Sequence, residues 1–345
     1  MNNKSPTISA KDAFESLNAA GFPQAFVKRA LPDWWDNALL KSSAGVLQFA
    51  SILKVRLGLE VSFAQDGQLR IQTENPSARF KRRSTTQESE LHVAATVGLA
   101  LARLAIFCTR EPYVPLPSQP QELRVQVKQH VGRQAVDFEG LLDFCWARGV
   151  PVLFLKELPK GGKRVAGIAI RVEGRPAIVL GLNSPQNARQ LFVLAHELAH
   201  ICLGHILETG ALIDEGLSAV TDAIEVGPEI GRPDKEEKQA DTFALAFLRG
   251  GQSAAVVDAR NSPTAAELAS ACVTVGRQRG IDPGHLILSY AAEHSDWLSA
   301  TLALRYFPNH SAALELLRDR FIRQADLDRL TDENKKYLLT AQGFA

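Results

Sequence analysis

Two histidines four residues apart, His196 and His200, sit in the run LFVLAHELAHICLGH. Its apolar residues recur at the period of a helix. Ser184 before Pro185 reads as an N-cap with proline at the first helical position, and the helix should run to about Gly204. Residues four apart lie one turn apart on one helix face. Both imidazoles can then reach one zinc ion at about 2.0–2.1 Å. Glu197, next to the first histidine, is placed to take a proton from water attacking a carbonyl. Leu191, Leu194, Ala195, Leu198, Ala199 and Ile201 would anchor the helix and keep the site partly dry. A bare HExxH arises by chance in roughly one chain in a hundred of this length, so context decides. The competing reading is a buried helix with satisfied histidines; the helical setting, the preceding strand-like runs and the apolar embedding together weigh against it.

A catalytic zinc usually has three protein ligands and an open position. The pattern HExxHxxGxxH would need glycine at 203 and histidine at 206, where the chain has Leu203 and Ile206. His205 is then a surface residue or a hydrogen-bond partner of the site. Carboxylates remain, at Asp214/Glu215 or at Glu236/Glu237. In DKEEKQADTFALAFL, Glu237, Ala240, Asp241 and Ala244 share one helix face. Small Ala240 would admit close approach to the histidine helix. Asp241 could accept a proton from a ligand histidine's other nitrogen. Glu237 is therefore the expected third ligand, with Glu236 and Glu215 in reserve. Residues 208–241 carry ten acidic and three basic side chains, net −7. They read as a solvated, mobile loop, or as a lid attracting a basic partner such as a DNA-binding protein.

At 345 residues the chain suggests roughly two domains. The segment EPYVPLPSQP, 111–120, has four prolines and reads as a linker. Residues 1–110 look helical, with amphipathic pieces in KDAFESLNAA, AFVKRALP and 45–57. In the last of these Leu47, Ala50, Leu53 and Leu57 fall near helical spacing, before a Gly58 stop. The basic run 79–83 reads as a solvated loop, or as a phosphate contact. Residues 91–108 are apolar enough to touch the membrane-spanning threshold, but His92 and Arg103 favour a buried helix. After the linker come a short helix at 138–149, a strand at 150–155 and a hairpin from 165–172 and 177–180. From about 262 the pattern returns to helices. The fold class expected is α+β and mostly helical. A small zincin-like domain of about three strands plus the active-site helix, 121–250, would lie between helical regions 1–110 and 251–345. Net charge is 39 − 38 = +1, +4 up to residue 111 and −3 after it, which excludes nucleic-acid binding by bulk charge. Cys108, Cys145, Cys202 and Cys272 are scattered and read as buried free thiols. Without a signal-like apolar run after Lys4, a soluble cytoplasmic protein, not membrane-bound, is expected.

HELAHICLGH followed by EKQADTFALAFL resembles the ImmA/IrrE family of bacterial and phage metallopeptidases. VDFEGLLDFCWARGVPVLFL and GIAIRVEGRPAIVLGLNSPQNARQLFVLAHE are similar to it as well, so the resemblance covers about residues 121–250. It implies that His196, His200 and Glu237 bind zinc and that Glu197 is the general base. It further implies a protein substrate of the XRE helix-turn-helix repressor type, cut in a stress-response, mobile-element or phage-defence switch. ALPDWWDNALLKSSAG is similar to N-terminal regions of larger members that follow a degenerate helix-turn-helix, and 262–295 to a later helical subdomain that holds substrate. Substrate could add as a strand along 177–180. His205, His294, Tyr290 and Arg189 are candidates for stabilising the oxyanion. A competing expectation is a DNA-binding regulator or toxin–antitoxin component with a structural or vestigial zinc site. Intact Glu197 argues against it, since a structural site needs no base. In a further variant the N-terminal half gates the protease, and deleting 1–110 changes activity without changing metal content.

Overall fold

A computed structural model describes residues 8–63, 69–73, 78–81, 88–160, 162, 164–206, 209–214, 235–256, 263–308 and 310–345. Its centre is a mixed sheet. The strands are β3 (Ala78–Lys81), β4 (Val152–Phe154), β5 (Gly167–Val172), β6 (Arg175–Leu180) and β7 (Gly210–Asp214), in the order β3-β7-β5-β6-β4. β5 runs antiparallel to both neighbours, while the edge strands β3 and β4 run parallel to theirs. A separate two-stranded ribbon joins β1 (Leu59–Phe63) to β2 (Leu69–Thr73). The β5–β6 turn is Glu173-Gly174, both at positive φ (49° and 78°), the tight hairpin geometry that matches strand twist.

The sheet is covered on both faces, which is why β5 and β6 read as almost unbroken apolar runs. Side chains alternate across a strand. Ile168 and Ile170 point at Gly98 of helix α4 (Glu88–Cys108), and Gly167 faces the opposite helix at Glu197. That opposite helix is α7 (Asn187–Cys202). Among the described residues, one helix is apolar and long enough to cross a membrane, Leu91–Cys108, and 83% of it is buried inside the protein.

Around this centre lie α1 (Ala10–Ala19), α2 (Gln24–Ala30), α3 (Ser43–Leu57), α5 (Pro120–Val131) and α6 (Phe138–Ala147). After α7 come α8 (Lys235–Arg249), α9 (Ala265–Arg279), α10 (Pro283–His294), α11 (Trp297–Leu304), α12 (Ala313–Gln324) and α13 (Asp332–Gln342). The fold is α+β and mostly helical. Buried hydrophobic residues from Ile8 to Phe344 join in one cluster. Arg56 of α3 ties the chain's two ends together, donating to Ala30 O (2.8 Å) and to Asn334 of α13 (2.9 Å).

Several expectations change. Among the described residues the sheet has five strands, not about three. β3 enters from before the proline-rich segment and β7 from within the acidic stretch. The stretch 1–110 therefore holds three strands beside its helices, and α4 packs on the sheet of 121–250. Deleting 1–110 would strip one face of that sheet rather than remove a gate. Arg79, Phe80 and Lys81 lie in a strand rather than a loop; Arg82 and Arg83 lie outside the described residues. On α3 the inward face is Val46, Phe49, Leu53 and Leu57, and Leu47 is 67% exposed. The aromatic Phe49, packed on Trp35 at 5.3 Å, sets that rotation. The strand at 177–180 is no edge: β6 is paired by β5 on one side and β4 on the other, so no added strand can reach it.

Candidate metal centre

α7 begins at Asn187, after an N-cap at Gln186 that makes no side-chain cap bond, two residues later than Ser184-Pro185 suggests. The Ser184 carbonyl and Leu182 carbonyl instead accept from the Gln190 side chain (2.8 Å each), which fixes the incoming loop. From Gln190 to Ile201 every α7 residue is buried, because the sheet, α6, α8 and α10 enclose the helix. His196, Glu197 and His200 are 1%, 0% and 0% exposed.

α8 closes the site. Its Ala240 is fully buried against α7, and this lack of bulk brings Glu237 to the histidines. The two Nε2 atoms are 3.1 Å apart; Glu237 Oε2 is 3.3 Å from His196 Nε2 and Oε1 is 3.5 Å from His200 Nε2. These three residues form the metal-capable cluster found among the described residues. A tetrahedral ion bonded at about 2.0–2.1 Å needs ligand atoms about 3.3 Å apart, so these separations fit.

Hydrogen bonding points to the same use. Asp241, one turn after Glu237, places Oδ1 3.0 Å from His196 Nδ1. A carboxylate only accepts, so His196 carries its proton on Nδ1 and turns a lone pair on Nε2 toward Glu237. Two acceptors facing each other at 3.3 Å require a cation or a proton between them. Glu237 Oε1 is buried with no hydrogen-bond partner. His205 lies with its Nδ1 2.9 Å from His200 Nδ1, orienting the second ring. This pair of outer contacts, carboxylate on one ring and imidazole on the other, is the arrangement that fixes metal-ligand tautomers.

Glu197, the expected base, packs against a residue that the sequence alone does not single out. Gly167 of β5 lies against the Glu197 side chain, so close that a Cβ there would overlap its carboxylate. α8 is held in turn by two arginines. Arg124 of α5 donates to Phe247 O (2.9 Å) and Leu248 O (2.6 Å) at the end of α8 and to Gly280 O at the end of α9, where helix dipoles favour a cation. Arg249 donates to His285 Nε2 (3.2 Å) and Ser289 Oγ (3.0 Å) on α10. Burial, with Arg249 and Arg124 beside it, pulls the His285 pKa down to about 3, so the ring is neutral and can accept. No local pattern marks Gly167, Arg124 or His285, because their partners are 30 or more residues away.

The other sequence candidates fall elsewhere. Glu236 is half-buried and outside the three-residue cluster. Glu215 lies outside the described residues, and Asp214 ends β7 opposite Gly167. Tyr290 packs on His294 at 4.5 Å and Arg189 lies over Trp297. The cysteines are free; three are buried and Cys202 is half-buried, with its thiol pushed up to about 12 by burial. Comparison with models of known families, with curated proteins and with solved structures finds no match for this chain.

Proposed function

We propose that the protein is a zinc-dependent endopeptidase. The observation that carries the reading is the convergence, at tetrahedral spacing, of Glu237 of α8 with His196 Nε2 and His200 Nε2 of α7, the helix that also bears Glu197. A divalent cation held by these three groups would supply Lewis acidity to water and to a peptide carbonyl. Asp241 and His205 hold the two imidazoles in the orientation that offers both Nε2 lone pairs. Glu197 accepts the proton from the attacking water and delivers it to the leaving amine. The apolar wall around it, Leu194, Leu198 and Ile201 among others, excludes competing water and strengthens the electrostatics.

The resemblance to ImmA/IrrE peptidases, carried by HELAHICLGH and EKQADTFALAFL, favours a protein substrate of the helix-turn-helix repressor or antitoxin type. A structural zinc site would leave a buried carboxylate at Glu197 unexplained, since burying an ionisable group with no task is costly. The test is metal analysis paired with hydrolysis. One zinc per chain is expected, lost in the His196→Ala variant. Glu197→Gln is expected to keep the zinc and lose peptide-bond cleavage by about 100-fold or more. Full cleavage by Glu197→Gln, or no metal bound by the wild type, removes the reading.

A further inference from the structure

The acids and the cations of α8 separate around the helix. Glu237 and Asp241 reach the histidines of α7, whereas Lys235, Lys238, Thr242 and Ala246 lie about half a turn round, on the opposite face. That second face borders an open groove of about 650 Å³. Its apolar surface comes from Phe243 and Ala246 of α8, Leu203 at the end of α7 and Pro120 at the start of α5. Phe243 is buried at its base, and Lys235 and Lys238 stand exposed beside it. Among the described residues no carboxylate lines the groove, and neither ammonium has an ion-pair partner. A solvated lysine by itself needs no partner. An apolar cleft flanked by two cations and no anion is complementary to one kind of surface, an apolar row edged by carboxylates.

The dimensions narrow the occupant. From Lys235 to Ala246 the groove follows α8 for about three turns, or about 17 Å. Spread over that length, the volume gives a cross-section of about 40 Å². A whole helix, about 10 Å across, does not fit inside, but one row of its side chains does. We propose that this groove docks an amphipathic helix of a partner protein, with its apolar row on Phe243, Leu203 and Ala246 and its carboxylates on Lys235 and Lys238. The width of α8 separates the groove from Glu237, so docking leaves the metal ligands in place and does not depend on the endopeptidase reading.

The probes are three blocked helical peptides of about 15 residues that share one leucine row and carry Glu, Gln or Lys at the flanking positions. Binding to the full-length protein is measured by calorimetry at low salt. The Glu peptide should bind about threefold or more tighter than the Gln peptide, as two exposed ion pairs allow, and the Lys peptide should bind weakest. The double variant Lys235→Gln, Lys238→Gln should bring the Glu and Gln peptides to parity, and Lys235→Glu, Lys238→Glu should make the Lys peptide the tightest. Thr242→Trp, at an exposed position on the groove wall, should fill the groove and weaken the Glu peptide about tenfold or more. Stripping metal with a chelator should change none of these affinities. Failure of the Glu peptide to bind at about 1 mM, a Glu preference that survives the double charge reversal, or an affinity unmoved by Thr242→Trp overturns the inference. Binding that is lost with the metal overturns it as well, since the peptide then sits at the metal centre. So does a wild-type protein that sediments with anionic phospholipid vesicles and ignores all three peptides.

Discussion

Replacing Gly167 by alanine tests how Glu197, the base of the proposed mechanism, is held. A Cβ at this position would lie 2.6 Å from Glu197 Cγ and 2.7 Å from Cδ. Packed carbons sit about 3.5–4.0 Å apart, so one partner must move by about 1 Å. β5 is gripped on both edges, by β6 and β7, so the Glu197 side chain yields rather than the strand. The φ of Gly167 is outside the left-handed region, and alanine there carries no backbone strain. By itself the change would stabilise by about 0.4–1 kcal/mol through the unfolded chain. The overlap costs about 1–3 kcal/mol, which leaves a net loss of roughly 1–2 kcal/mol. Hydrolysis should suffer more, because a 1 Å displacement of a reacting group costs about 100-fold. Zinc content should stay, since none of the three ligands is touched. The decisive assay is a thermal-unfolding cycle with Glu197→Ala. With the carboxylate gone the new methyl has room, so Gly167→Ala should become neutral or stabilising. The coupling energy should then be about 1–3 kcal/mol. Additivity to within about 0.5 kcal/mol would refute the contact, and full hydrolysis by Gly167→Ala would refute the assigned position of the base.

Two further outcomes follow from the packing. Ala240→Leu should push α8 off α7 and weaken zinc about tenfold or more, because overpacking of about 1–3 kcal/mol is relieved by separating the ligands; competition against a chromogenic chelator with unchanged affinity would count against the close approach. His285 has its pKa lowered to about 3 in the fold against about 6.5 unfolded, so only the unfolded state takes up its proton between those values. Its contribution is fully present above pH 6.5 and lost as pH falls toward 3, on the order of several kcal/mol. His285→Gln, which still offers Arg249 an acceptor, should flatten the acid limb of stability against pH; an identical limb in the variant would show that His285 does not titrate this way.

The helix-bound half of the site was legible because its geometry is local. The 3.6-residue period alone puts His196 and His200 on one face with Glu197 beside them, and the same period singles out Glu237, Ala240 and Asp241. Both helices form over the residues that carry these patterns, α7 starting two residues later than its cap signal suggests. The hairpin at Glu173-Gly174 was legible for a similar reason, two apolar runs around a turn signal. Strands β3 and β7 were not, since short runs such as ARFK and GALID carry no period of their own and become strands only by pairing, β7 with β5 and β3 with β7. The inward face of α3 was not legible, because leucines at helical spacing do not say which stripe is covered; the contact of Phe49 with Trp35 decides that.

From its sequence the protein draws the chemical inventory: two imidazoles one turn apart on α7 with a carboxylate beside the first, and an acid–alanine–acid face on α8. Tertiary structure decides the rest. It sets Glu237 within 3.5 Å of both rings and seats Glu197 against the bare backbone of Gly167. The division has one physical cause. Helical periodicity is fixed by backbone hydrogen bonds within a few residues, whereas distances between elements are fixed by what packs between them, here a buried alanine, a glycine and a guanidinium at the end of α8.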